Sequence, residues 1–263
     1  MLWIELSSPQ VDALDRSTPV VIPLGSCEQH GRHLPLSVDT TQVQAIAGRL
    51  DQRLGDQAVF LPALWLGSSH HHLDFPGTVS VRPSLYAELI QDVARSILRA
   101  GFTRLFFLNG HGGNELPAQT GLAELIVTDD AADAASLAFA SWWSAGADAL
   151  QPDKHGLTQP GISHACEVET SLMLALRPDL VDTNTIQPTA PKFVSPNWHC
   201  EQGGKLRVFH SFQRLTTHGH MGSPEAATTD KGRSMLDALT DELADVITDF
   251  ASWPTLPAGE GQP

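Results

Sequence analysis

Glu28 and His30 stand two residues apart, and Asp39 follows nine residues after His30. Imidazole and carboxylate in such proximity can share a cation. If the loop is extended, alternate side chains point the same way, so Glu28 and His30 can converge while Gln29 faces elsewhere. Two more loops carry groups of the same kind. His111 lies in Asn109-Gly110-His111-Gly112-Gly113-Asn114, and His164, Glu167 and Glu169 lie in His164-Ala165-Cys166-Glu167-Val168-Glu169-Thr170. A mixed imidazole and carboxylate set suits zinc, manganese or iron rather than a thiolate site. One carboxylate bridging two ions would give a dinuclear centre with an activated water between them. The glycines around His111 fit such a centre, because close approach of backbone to a ligand needs residues without a Cβ.

The elements that must position these groups follow from the apolar pattern. Pro19 to Leu24 reads as a short buried strand closed by Gly25, and Leu105-Phe106-Phe107-Leu108 as a strand covered on both faces. Ala58 to Leu61, Val79 to Val81 and Ser136 to Trp142 are further candidate strands. Val43, Ile46, Ala47 and Leu50 describe a helix over Thr40 to Leu54 entered from Asp39, which could cap it instead of, or as well as, holding an ion. Pro83 opens a second helix, a third starts near Asn114, and a last one runs from about Pro224 to Phe250. Strand and helix in alternation imply a mostly parallel sheet covered by helices. Glu28, His30 and His111 then lie at strand ends, where open α/β sheets build their sites.

The chain has 263 residues, 41% of them apolar, and a net charge of −14. Residues 1–253 read as one domain, with a frayed Pro- and Gly-rich tail over 254–263. The negative charge argues against a nucleic acid or an anionic membrane as partner. The first residues carry no basic, apolar leader, and no apolar run is long enough to span a bilayer, so a cytoplasmic location is expected. Cys27, Cys166 and Cys200 make no disulfide framework and read as small packed residues.

Four segments together resemble the creatininase (creatinine amidohydrolase) family. They are Gly-Ser-x-Glu-Gln-His-Gly-x-His-Leu-Pro-Leu-x-x-Asp over Gly25 to Asp39 and Gly-x-Ser-x-x-His-x-x-Phe-Pro-Gly-Thr over Gly67 to Thr78. The others are the Asn109–Asn114 loop and His-Ala-x-Glu-x-Glu-Thr-Ser over His164 to Ser171, with a weaker echo from Gly222 to Gly232. The resemblance implies a three-layer α/β/α sandwich, a homohexamer and two divalent metal ions per subunit. It implies that Glu28, Asp39 and His111 hold one ion, and that His30, Asp39 and a further glutamate hold the other. Creatininase itself resembles Asn-Gly-His-Tyr-Glu-Asn in the second of these loops. Gly113 stands where that glutamate would be, which points away from creatinine as the substrate, and Glu167 is read as the remaining ligand.

Glu169 is then a substrate-facing group or a support for the ligands, and His164 a proton shuttle to the departing amine. In the run His70-His71-His72 only His72 matches the family pattern. Three adjacent side chains diverge, so the run is read as pocket lining or a subunit contact, not as a metal site. His218 and His220 read as surface or interface residues, and Trp142 and Trp143 as core or as a wall over substrate. The activity expected is hydrolysis of a C–N bond in a small cyclic or formyl amide by a metal-bridging hydroxide. A peptidase trimming a modified precursor peptide of the mycofactocin type is the alternative, as is a metal-binding protein without catalysis.

Overall fold

The computed structural model describes residues 1–189, 191 and 209–254. Cys200 and nearly all of the 254–263 tail lie outside the described residues. Four strands, β1 (Val20–Leu24), β2 (Val59–Phe60), β3 (Arg104–Asn109) and β4 (Ser136–Ser141), form one sheet in the order β2-β1-β3-β4. Every pairing is parallel, and the register sets Leu24 beside Asn109 and Asn109 beside Ser141. The carboxyl ends of β1, β3 and β4 therefore finish level.

Five longer helices cover the sheet: α1 (Val38–Leu54), α2 (Pro83–Arg99), α3 (Glu115–Thr128), α4 (Glu167–Leu176) and α5 (Thr229–Ser252). The strands alternate their side chains between two cores, as a pleated sheet requires. Val21, Phe106 and Leu108 pack with Val43, Ile46 and Leu50 of α1, Leu172 of α4 and Met235, Leu239 and Leu243 of α5. Val20, Ile22, Leu24, Leu105 and Phe107 pack on the other face with Tyr86 and Ile90 of α2 and Leu122 and Leu125 of α3. The result is a three-layer α/β/α sandwich. Burial on both faces explains why β1 and β3 read as unbroken apolar runs rather than alternating ones.

Three local expectations are corrected. Val79 to Val81 is not a strand: Val79 and Ser80 make only isolated bridges, to Cys27 and Gly67. The last helix begins at Thr229, after a separate 3-10 turn at Pro224–Ala226, with the Thr228 side chain accepting from the Lys231 N–H as its cap. Ser37, not Asp39, occupies the N-cap position of α1, so Asp39 lies inside the first turn and its carboxylate is free for other partners. Among the described residues no helix is long and apolar enough to cross a membrane.

Candidate metal centre

The loops leaving β1 and β3 and the first turns of α1 and α4 converge at the carboxyl edge of the sheet. Asn109 and Asn114 brace the second of these loops. Asn109 Nδ2 donates to the His111 carbonyl at 2.8 Å and to Ser141 Oγ at 2.9 Å, tying β3 to β4. Asn114 Nδ2 donates to the Gly25 carbonyl at 3.0 Å while its Oδ1 accepts from the Ser68 N–H at 2.9 Å. Gly110 is required because a Cβ there would press within 2.8 Å of Val43 Cβ.

Glu28, His30, Asp39 and His111 meet in the interior, each no more than 4% exposed. Asp39 lies between the two histidines and divides its oxygens between them. Its Oδ1 is 3.1 Å from His30 Nε2 and its Oδ2 is 3.1 Å from His111 Nδ1. Glu28 Oε2 is 3.3 Å from His111 Nε2, and Ser69 Oγ donates to the same carboxylate oxygen. Glu169 Oε1 completes the far side at 3.9 Å from His30 Nε2. Its other oxygen accepts from the N–H of Ala165, a buried residue in the left-handed region at φ 49°. His30, Asp39 and Glu169 form one ligand-competent trio, with atoms within 4.8 Å of one another.

Glu167 is not part of this cluster, contrary to expectation. Its fully buried carboxylate accepts from Lys231 Nζ at 2.6 Å and from the N–H and hydroxyl of Thr158, each at 2.7 Å. Glu167 and Glu169 both open α4, but two helical positions lie about 200° apart around the axis. One carboxylate therefore faces α5 and the other faces the cluster.

Carboxylates and imidazoles perturb one another strongly in this cluster. Burial disfavours charge on His30, yet Asp39, Glu169 and Glu28 around it lift the imidazole to about 10. Burial likewise opposes charge on His111, and Glu28 and Asp39 raise it well above the ordinary range. Burial and the neighbouring carboxylates push Glu169 up to about 7, although His30 opposes them. Asp39 is driven low by His30 and His111 in spite of its burial. Even so, His30 Nε2 and Asp39 Oδ2 have no hydrogen-bond partner among the described residues. Buried polar atoms without a hydrogen-bond partner are rare in a folded protein unless an ion or a water satisfies them. The donor set is nitrogen and oxygen only, which fits zinc or manganese.

His164 lies beside the cluster, its ring 4.3 Å from that of His30 and its Nδ1 3.6 Å from Glu28 Oε1. Its Nε2 is 2.8 Å from the Gln29 carbonyl. The same Nε2 lies 3.0 Å from the Gln29 side-chain amide nitrogen, so Gln29 holds this edge of the ring while Nδ1 faces Glu28. Burial, with His30 adding to it, holds this imidazole well below the ordinary histidine range. His72 stacks against His164 at 4.4 Å, and its Nδ1 lies 2.7 Å from Gln29 Nε2. Gln29 was passed over in the sequence as a residue facing elsewhere. Its carbonyl and amide in fact orient both histidines, and no spacing rule reveals that. Of the two expectations for His220, surface or interface, the first does not hold: it is buried, edge-on to His33 at 5.8 Å. Trp142 is a core residue.

A parallel α/β sandwich with a mixed histidine and carboxylate centre at the carboxyl edge of its sheet defines the general class. The pattern of the creatininase (creatinine amidohydrolase) family matches residues 4–247, and the chain belongs to that family. It is 30% identical over 272 residues to the mycofactocin precursor peptide peptidase of Mycobacterium tuberculosis, covering 97% of this chain and 94% of that one. It is also 30% identical over 241 residues to the creatinine amidohydrolase of Pseudomonas putida, covering 87% and 88%. Solved structures of creatininase with manganese and of a creatininase mutant of Zn-Zn type each superpose with a TM-score of 0.80. Both are 28% identical and cover 94% of this chain and 97% of theirs.

Proposed function

We propose that this protein is a two-cation amidohydrolase that cuts the C–N bond of a small cyclic or formyl amide. The observation that carries the reading is Asp39, whose two oxygens face two different histidines while His30 Nε2 and Asp39 Oδ2 stay unpartnered. Glu28, Asp39 and His111 would hold one ion, and His30, Asp39 and Glu169 the other, with Asp39 common to both. Zinc and manganese suit that set. Two such ions would polarise a carbonyl oxygen and bring the ionisation of water near neutrality.

The remaining work falls to the chain's own groups. Burial holds His164 neutral at rest, so it would accept a proton from the attacking water and then deliver it to the departing nitrogen. Gln29 engages Nε2 through its backbone carbonyl and its side-chain amide, which leaves Nδ1 facing Glu28. His72 and Phe212 pack on the His164 ring at 4.4 and 4.7 Å and limit its rotation. Enclosure by these rings also excludes bulk water, which strengthens every charge interaction inside.

The test is elemental analysis of the purified protein, joined to turnover of cyclic ureas, lactams and formamides. Glu28→Ala and Asp39→Ala should each lose metal and turnover together. Full activity in either variant after chelation would refute the mechanism. A second reading, trimming of a modified peptide, is favoured by the 30% identity to the mycofactocin peptidase across 97% of this chain. Cleavage of a short peptide end, with no turnover of the small amides, would select it.

A further inference from the structure

His70, His71 and His72 form one 3-10 turn, and their rings go to three different places. His70 Nδ1 is 2.7 Å from Ser80 Oγ, and His72 turns to Gln29 and Glu28. His71 lies flat against His111, with ring centroids 5.7 Å apart and planes 12° from parallel. A ring nitrogen of His71, one of His111 and an oxygen of Glu28 all lie within 4.8 Å of one another. A tetrahedral ion with bonds of about 2.0–2.2 Å sets its ligands about 3.3–3.6 Å apart, so shifts of about 1 Å, with the His71 ring turned to aim a nitrogen at the ion, would draw the three together.

The room for His71 comes from Gly113. A Cβ at that position would stand 2.5 Å from His111 Nε2 and 2.8 Å from His71 Cε1, and would also collide with the Ser68 carbonyl. Any side chain there would displace the imidazole. The glycine and the histidine therefore form one device, set beside His111, whose Nε2 lies 3.3 Å from Glu28 Oε2.

We propose that His71 is an additional ligand for the cation held by Glu28 and His111, seated in the space that Gly113 leaves open. A second imidazole makes that side favour zinc over manganese. Imidazole suits zinc, whereas carboxylate and water suit manganese. The inference rests on the two-cation reading above, since it assigns a ligand to one of those ions.

The experiment measures zinc and manganese affinity of the wild-type protein by chelator competition, with elemental analysis of bound metal. The same is done for His71→Ala, His71→Gln and Asp39→Ala, each checked for a native thermal transition. His71→Ala and His71→Gln should weaken one zinc site by about 10- to 100-fold, the scale at which groups around a metal act. Manganese affinity should change by less than about threefold, because that ion depends less on imidazole. Zinc affinity within about twofold of wild type in either folded His71 variant overturns the inference. If Asp39→Ala alone loses metal, this assignment fails while the two-cation reading stands. If the wild-type protein binds neither ion, both fall.

Discussion

Lys231→Met isolates the role of Glu167. In the folded protein the Glu167 carboxylate is fully buried, and Lys231 Nζ, on a side chain 19% exposed, is the cation that meets it at 2.6 Å. Removing one partner of a buried ion pair leaves the other charge uncompensated and costs about 3–5 kcal/mol. The lower end, about 3 kcal/mol, applies here, because Lys231 keeps some contact with water and two hydrogen bonds from Thr158 survive. For a chain of this size 1 kcal/mol moves Tm by about 2–4 °C, so a fall of about 6–12 °C is expected in a thermal scan. The pH dependence has a definite sign. Burial raises the Glu167 carboxyl, but Lys231 and Thr158 outweigh it and hold it below the ordinary glutamate value of 4.5. The contribution of the pair is thus present above about pH 4.5 and is lost as pH falls through the lowered value. The gap between wild type and Lys231→Met should close in acid. Elemental analysis completes the assay: Glu167→Gln should keep its metal and Glu169→Gln should lose part of it. A Tm for Lys231→Met within about 1 °C of wild type would refute the reasoning, as would metal loss on Glu167→Gln with retention on Glu169→Gln.

Cation binding must displace the proton that the carboxylates draw onto His30. Metal affinity should therefore fall about tenfold for each unit of pH lowered between 9 and 7, and a flat profile in chelator competition would count against the cluster. In the metal-free protein the same raised value, about 10, contributes stability that is complete below pH 6.5 and lost as pH rises toward 10. Urea midpoints that rise over that interval would contradict the assigned surroundings of His30. Asn114→Ala should cost about 1–3 kcal/mol in urea unfolding, since it strands the Gly25 carbonyl and the Ser68 N–H inside the protein. An unchanged midpoint would mean that Asn114 does not brace the loop.

Sequence alone carried most of the fold and four of the five clustered side chains. Burial on both faces forces continuous apolar runs such as Leu105 to Leu108, and helices with one buried face must repeat their apolar residues, as Val43, Ile46 and Leu50 do. Glu28, His30, Asp39 and His111 were legible because short loops at strand ends have little freedom in where they point. The choice between Glu167 and Glu169 was not. They sit two residues apart on a helix, so which of them faces the histidine and carboxylate cluster depends on how α4 docks against α5. That docking is decided by packing of Leu172 and the α5 side chains over the sheet, a long-range property with no local signature. His71 was illegible for the same reason. Its environment depends on the missing side chain of Gly113, more than forty residues along the chain, and such a fit is formed only when distant segments meet.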